Sequence, residues 1–347
     1  RLVAGLRRED IGFEHIQVDS EPSPELIDRA VAEFRARAID AVIGIGGGSV
    51  LDAAKAIAGL LPHGNSVMDH LEGVGRDLPY LGPSTPFIAV PTTAGTGSEA
   101  TKNAVLSVQG TRGFKKSFRH EALVAQVAIV DPDFLVHCPP ELIAANGMDA
   151  FTQLLESYVS SNASAFTDAL ALSGMRAVAH GFLNAWHGGE SDAAREGRAA
   201  MAYAALLSGI TLAQAGLGSV HGLASPLGAF FPIPHGVVCG TLVAVATEVN
   251  IRALRARAPD HPALAKYAAA GQLLAETVPQ DREAACDGLV RMLYEWTARL
   301  KIPTLGGYGV GESDIAPIVA GARGSSMKTN PIVLSDAEIG EIVRARL

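Results

Sequence analysis

The turn Gly46-Gly47-Gly48-Ser49 follows the apolar run Ala41 to Ile45 and opens the small-residue stretch Ser49 to Leu60. Backbone amides at such a helix start face an anion, glycines allow close approach, and the helix dipole favours negative charge. The segment is neither a full G-x-G-x-x-G, because Ser49 holds the last position of the frame begun at Gly44, nor a Walker loop. Two readings therefore stand at this point: a diphosphate cradle, or close helix–strand packing. A second loop, Pro91-Thr92-Thr93-Ala94-Gly95-Thr96-Gly97-Ser98-Glu99, follows the run Phe87 to Val90 and combines hydroxyls with glycines. In open α/β sheets ligands bind beyond the strand C-termini, where two such loops can flank one molecule. An ordinary polar turn is the plainer alternative.

The first half alternates apolar runs with amphipathic stretches, the pattern of a parallel α/β sheet. Pro24 to Ala38 reads as a helix behind an N-cap Ser23, Ser49 to Leu60 as the next, and Val127 to Val130 as a third strand closed by Asp131-Pro132. Beyond Cys138-Pro139-Pro140, periods of Ala and Leu at helical spacing take over. Helices are expected at Pro140 to Ala145, Ala150 to Ser160, Ser164 to Ala185, Arg195 to Ala215, Val238 to Arg255, Leu264 to Thr277, Ala284 to Leu300 and Asp336 to Leu347. The fold class is an α/β N-terminal, Rossmann-like parallel-sheet domain, residues 1–137, followed by an all-α helical domain, residues 138–347. Two domains also suit 347 residues.

Apolar residues make up 48% of the chain and charged residues 18%, with a formal charge of -8. That balance gives no electrostatic reason to attract nucleic acid or an anionic membrane, so a small molecule is the expected partner. The uncharged run Ala199 to Val220 is long enough to span a bilayer. Gln214, Ser208, Thr211 and its glycines, and the lack of a basic flank, favour a buried helix instead. Cys138, Cys239 and Cys286 are odd in number and lack C-x-x-C spacing, so neither a disulfide framework nor a cysteine zinc site is indicated. A reducing, cytoplasmic setting is expected. His221 and His235 flank thirteen residues without formal charge and read as half of a metal site.

With these residues in view, the chain resembles the iron-containing, group III alcohol dehydrogenases, within the wider dehydroquinate synthase-like fold. The resemblance rests on GGGSVLDAAKAIA at 46–58, PTTAGTGSEAT at 91–101, VAIVDP at 127–132, PPELIAANGMDAFTQLLESYVS at 139–160, VHGLASPLGAFFPIPHG at 220–236 and SMKTNP at 326–331. It implies a dinucleotide, NAD or NADP, and one divalent metal, Fe2+ or Zn2+, between the two domains. The positions matching the family's metal ligands are Asp149, Gln153, His221 and His235. Residues four apart share a helix face, so 149 and 153 can address one ion. Gly47, Gly48 and Ser49 match residues at the diphosphate, Thr92 and Thr93 residues near the phosphates and nicotinamide ribose, and Lys115 a lysine near the cofactor. Asp52 either joins that set or caps its helix. Asn103 matches a position on the substrate side, or serves local helix packing. The family has an opening strand and helix before the segment matching RLVAGLRRED, a region that often selects between NAD and NADP, so that choice stays open.

Two positions depart from the family pattern. Gln153 stands where the family has a His, and an amide oxygen is a harder, weaker ligand, so lower affinity or a changed metal preference is expected. Ser225 stands one turn after His221 where the family usually has a proton-relaying His, and a hydroxyl is no base near neutral pH. The expected activity is metal-dependent, NAD(P)-linked hydride transfer between a small alcohol and its aldehyde or ketone, in a homodimer. The alternatives are a metal-free reductase of an activated acid, as in the maleylacetate reductases, and a nucleotide-binding protein without redox activity.

Overall fold

Ser23 sets the start of the first long helix: its hydroxyl accepts the Leu26 amide proton at 3.2 Å, and Pro24 occupies a first-turn position where a missing N–H costs nothing. In the computed structural model, which describes residues 2–110, 113–275 and 281–347, a short α1 (Leu2–Arg8) precedes this helix, α2 (Pro24–Phe34). It stops short of the expected Ala38, which takes a left-handed φ of 47°. Then follow β1 (Val42–Gly46), α3 (Gly48–Leu60), β2 (Phe87–Pro91), β3 (Asn103–Val108), β4 (Phe114–Arg119) and β5 (Val127–Ala128).

The strands β1, β2 and β5 form a parallel sheet in the order β1-β2-β5, with Val42 opposite Phe87 and Gly46 opposite Pro91. That register brings the two glycine-bearing loops off the same end of neighbouring strands, and the Thr92 amide donates to the Gly46 carbonyl at 3.0 Å. One side of α3 packs Leu51, Ala54 and Ala58 on Phe87 and Ala89. Its other side joins α2 and the β3–β4 hairpin around Ile27, Ile57, Leu60 and Phe118. The opposite face of the sheet leaves Ile43, Ile45 and Val127 exposed. The antiparallel β3–β4 pair was not expected, because β4 reads FKKSFR and carries no continuous apolar run; Phe118 is its fully buried anchor. The third strand is also shorter than Val127 to Val130, although the Ile129 amide still donates to the Ala89 carbonyl at 2.8 Å.

The chain then becomes helical: α4 (Pro140–Val159), α5 (Ala165–His187), α6 (Asp192–Ala215), α7 (Ser219–Phe230), α8 (His235–Arg257), α9 (Pro262–Leu274), α10 (Arg282–Arg299), α11 (Ile315–Gly321), α12 (Ser325–Lys328) and α13 (Asp336–Arg344). Two expected pieces, Pro140 to Ala145 and Ala150 to Ser160, are a single helix. Its Asn146-Gly147 step looks like a break in sequence, but a Cβ at 147 would lie 2.1 Å from the Phe182 ring, so the glycine serves the α4–α5 crossing. Phe151 and Phe182 meet Trp296 of α10 edge-on, with centroids 5.4 and 5.7 Å apart, in the largest core cluster. The expected end of the α9 segment at Thr277 lies outside the described residues.

The uncharged run 199–220 is not one helix, since α6 ends at Ala215 and α7 leaves at 99° to it. The helix among the described residues that is long and apolar enough by itself to cross a membrane is α8, and 89% of its apolar stretch is buried inside the protein, as in the core helix of a globular fold.

The two parts touch backbone to backbone where the 91–99 loop meets α6. Gly97 has φ 61°, and a Cβ on Gly209 would sit 2.1 Å from the Gly97 carbonyl oxygen. Neither peptide can yield, because each belongs to a packed element. Gly209→Ala should therefore cost about 1–3 kcal/mol in urea unfolding, the usual range for overpacking. Gly307→Ala, where nothing lies within 4 Å, should change stability by less than about 0.5 kcal/mol.

Candidate active site

Helix α4 carries Asp149, Gln153 and Glu156 at spacings of four and three, hence on one face of an otherwise apolar helix. Asp149 is fully buried. Its Oδ1 lies 3.3 Å from His221 Nε2 and 3.6 Å from His235 Nε2. His221 sits in the first turn of α7 and His235 at the first position of α8. Cys239, one turn further along α8, places Sγ 3.6 Å from His221 Nε2 and 3.8 Å from His235 Nε2. The ligand atoms of Asp149, His221, His235 and Cys239 all lie within 4.8 Å of one another.

Glu156 holds this arrangement together. Helix α7 begins after Gly218, which has no side chain to cap it. Its first amides turn instead to distant side chains: Val220 N–H to Glu156 Oε1 at 2.7 Å, and Ser219 N–H to Asn330 Oδ1 at 3.1 Å. A Cβ on Gly218 would press on both acceptors at 2.9 Å, which is why this position is open. Glu156 Oε2 also takes His221 Nδ1 at 2.7 Å. That bond keeps a proton on Nδ1 and turns Nε2 toward the cluster.

Charge in the cluster follows from burial and neighbours. Burial opposes ionisation of Asp149, yet His235 and His221 beside it hold the carboxyl down at about 2. Burial lowers His235 to about 4 against the pull of Asp149, with Lys115 and His221 adding repulsion. Burial also disfavours the cation on His221, but Cys239, Asp149 and Glu156 raise it well above its ordinary value. Within the cluster, two buried atoms lack any hydrogen-bond partner: Asp149 Oδ2 and His235 Nδ1. An unpartnered buried carboxylate oxygen is costly in a protein interior. A carboxylate and two imidazoles converging around such an atom fit a divalent cation.

His221 and His235 of the cluster line a cavity of about 360 Å3 between the two parts of the chain. Gly48, Ser49 and Thr96 line it from the glycine-bearing loops, while Gln153, His221 and His235 reach it from the helices. Asp52, Asn103, Lys115 and Ser225 line it as well. Gly47, Thr92 and Thr93 stand outside this lining; Thr93 lies over Gly47, whose added Cβ would be 3.3 Å from its hydroxyl. Asp149 lies behind the wall.

Several side chains hold positions their sequence did not disclose. Asp52 does not cap α3: its carboxylate accepts Ser98 Oγ at 2.5 Å and the Val105 amide at 3.1 Å, with Lys55 Nζ 3.5 Å away. Lys55, wholly buried, donates to the Thr101 hydroxyl at 2.9 Å and the Asn103 carbonyl at 2.7 Å. Together they tie α3, the 91–101 loop and β3 beneath the cavity. Asn103 lies on a strand, not a helix, and its Oδ1 accepts Arg119 Nε at 2.8 Å. Lys115 pairs with Glu21, which also accepts Ser107 Oγ at 2.6 Å. Ser225 donates its hydroxyl to the Lys115 carbonyl at 3.2 Å. Gln153 Oε1 accepts the Ser208 hydroxyl at 2.7 Å. Glu156 and Cys239 were overlooked, although both show a readable signal. Glu156 continues the Asp149–Gln153 face, and Cys239 follows His235 by one helical turn.

A family model for iron-containing alcohol dehydrogenase matches residues 1–132, and one for the C-terminal region of the Fe-containing alcohol dehydrogenase family matches residues 143–347. Long-chain-alcohol dehydrogenase 1 of Geobacillus thermodenitrificans is 36% identical over 351 residues, covering 99% of this chain and 85% of that protein. NAD-dependent methanol dehydrogenase of Bacillus methanolicus is 32% identical over 332 residues, covering 94% and 82%. Among solved structures, a 1,3-propanediol oxidoreductase superposes with a TM-score of 0.88 at 29% identity, covering 99% of this chain and 87% of that one.

Glu156→Gln keeps an acceptor for Val220 but removes the charge behind His221. Affinity for a divalent cation should fall about 10–100-fold, the usual effect of losing a carboxylate behind a ligating imidazole. Competition against a chromophoric chelator reads this directly.

Proposed function

The chain belongs to the iron-containing alcohol dehydrogenase family, and we propose that it interconverts a small alcohol with its aldehyde or ketone by hydride transfer to or from a nicotinamide dinucleotide. The observation that carries this reading is that His221 and His235, with Asp149 behind them, share one cavity with Gly48 and Ser49 at the start of α3. Residues 1–137 act as the dinucleotide domain and residues 138–347 as the metal and substrate domain.

The diphosphate belongs at Gly47, Gly48 and Ser49. There the first amides of α3, which a helix leaves without internal partners, and the helix dipole both favour an anion. The threonine-bearing loop stands beside it, with Thr92 and Thr93 toward the phosphates and ribose. Either NAD or NADP suits this cradle, and the name of the Bacillus methanolicus relative supports NAD. Asp149, His221 and His235 hold the divalent cation, with Gln153 beside them. Iron is the metal after which the family is named, and zinc takes the same nitrogen and oxygen donors. Once bound, the cation supplies Lewis acidity that lowers an alcohol's pKa and stabilises negative charge on its oxygen. The chain's own part is orientation: Glu156 fixes the His221 ring, and the cavity walls set the reacting carbon against the nicotinamide. Ser225 has its proton engaged by the Lys115 carbonyl. Proton exchange with solvent therefore runs through cavity water or the cofactor ribose, and Ser225 and Asn103 shape the substrate side.

The metal-free alternative is disfavoured by the orphaned Asp149 Oδ2, since a buried carboxylate oxygen with no cation to face would gain by pairing. His235→Ala should lose the bound metal and reduce kcat by about 10²–10³-fold, with dinucleotide affinity changed less than about twofold because the polar contacts of His235 are with Asp149 and Cys239 and not with the glycine turn. Nicotinamide absorbance over a broad panel of alcohols and carbonyls, with iron or zinc supplied, checks the activity. A silent wild-type enzyme across that panel, or turnover indifferent to a strong chelator, overturns this reading.

A further inference from the structure

We propose that the fourth protein ligand of the divalent cation is the thiolate of Cys239, and that Gln153 stays outside the coordination sphere. This rests on the metal reading above and replaces one member of the ligand set drawn from sequence.

The separations carry the proposal. A tetrahedral ion with bonds of about 2.0–2.1 Å to nitrogen or oxygen and about 2.3 Å to sulfur spaces its ligands about 3.3–3.4 Å apart for N and O, and about 3.5–3.6 Å for S and N. Asp149 Oδ1 and His221 Nε2 are 3.3 Å apart, Asp149 Oδ1 and His235 Nε2 3.6 Å, and Cys239 Sγ lies 3.6 and 3.8 Å from the two imidazole nitrogens. Four of the six edges thus stand near those of one coordination tetrahedron, and the other two, His221 to His235 and Asp149 to Cys239, lie within 4.8 Å. Helix geometry accounts for the sulfur's position, because Cys239 repeats on α8 the one-turn spacing from His235 that residue 153 has from Asp149 on α4.

Gln153 has a different engagement. Its Oε1 accepts the Ser208 hydroxyl of α6 at 2.7 Å, so one of its two lone pairs is already engaged outside the cluster. The polar contacts of the cysteine, by contrast, are with the two imidazole nitrogens of the same cluster, and it is fully buried, so it reaches no substrate as a nucleophile. Asp149 Oδ2, buried and without partner, adds an independent sign that this cluster is built around something. As the sulfur–cation bond forms, the thiol proton leaves to solvent and the sulfur remains as thiolate, with no change of oxidation state. A thiolate softens the donor set, so the site should prefer zinc over harder ions such as magnesium and manganese.

The test uses the full-length protein loaded with cobalt(II) and, separately, with zinc. Wild type should show an intense near-ultraviolet thiolate-to-cobalt charge-transfer band, and X-ray absorption of the zinc form should show one sulfur scatterer at about 2.3 Å. Cys239→Ser should lose the band and weaken zinc binding about tenfold or more, whereas Gln153→Ala should keep the band. Cobalt bound with visible ligand-field bands but no charge transfer, and a zinc shell of nitrogen and oxygen alone, overturns the thiolate while leaving the metal reading intact. Failure of the wild type to bind either ion overturns both. The wild-type spectra decide the matter even if a variant folds poorly.

Discussion

The carboxylate of Glu156 is the joint on which the helical part turns. One side chain on α4 accepts two successive amides at the start of α7, Val220 and His221, and the Nδ1 proton of His221. Without it, a helix that begins after a glycine would bury unsatisfied donors. The same carboxylate thereby answers a folding requirement and a chemical one, because orienting the helix end also orients the imbidazole ring that emerges from it. Asn330 completes the cap from the far end of the chain and is itself bound to Asn250 of α8. The segments around residues 156, 220, 250 and 330 are therefore fixed relative to one another by hydrogen bonds to buried groups, which are strong because water is absent.

The α/β part has a comparable but different joint. Lys55 and Asp52 lie one turn apart on α3, and between them they bind Ser98, Thr101, Asn103 and Val105. Burial raises the Asp52 carboxyl despite Lys55, and burial lowers the Lys55 amine despite Asp52. Pairing lets two charges exist where neither would alone, although such pairs contribute more to geometry than to stability. Here the geometry is the relation of the glycine turn to the hairpin that walls the cavity.

Much of this was legible beforehand. The strand–turn–helix at 41–60 is local: apolar run, glycines and small residues each act within a few positions, and the structure places β1 and α3 almost where periodicity does. His221 and His235 stood out as imidazoles in uncharged surroundings, whereas Asp149 came only with the resemblance to the iron-containing alcohol dehydrogenases. What escaped depends on partners far along the chain. The β4 strand is anchored by its pairing with β3, not by its own composition. The continuity of α4 through Gly147 depends on the Phe182 ring, and the engagement of Gln153 on Ser208, fifty-five residues away. Cys239 was passed over because counting cysteines against one another cannot detect a thiol whose neighbours are imidazoles.

The crossing of Gly97 over Gly209 has a consequence for how such an enzyme can diversify. At that point the separation of the two halves is set by peptide planes in contact, a dimension that no exchange of side chains can make smaller and that any added atom forces apart. Adaptation to longer or bulkier molecules must then act elsewhere on the perimeter, chiefly along the hairpin, where side chains such as Lys115 and Arg119 line the cavity. The dimension at the Gly97–Gly209 crossing is inherited unchanged, and the side-chain boundary is the part left free to vary.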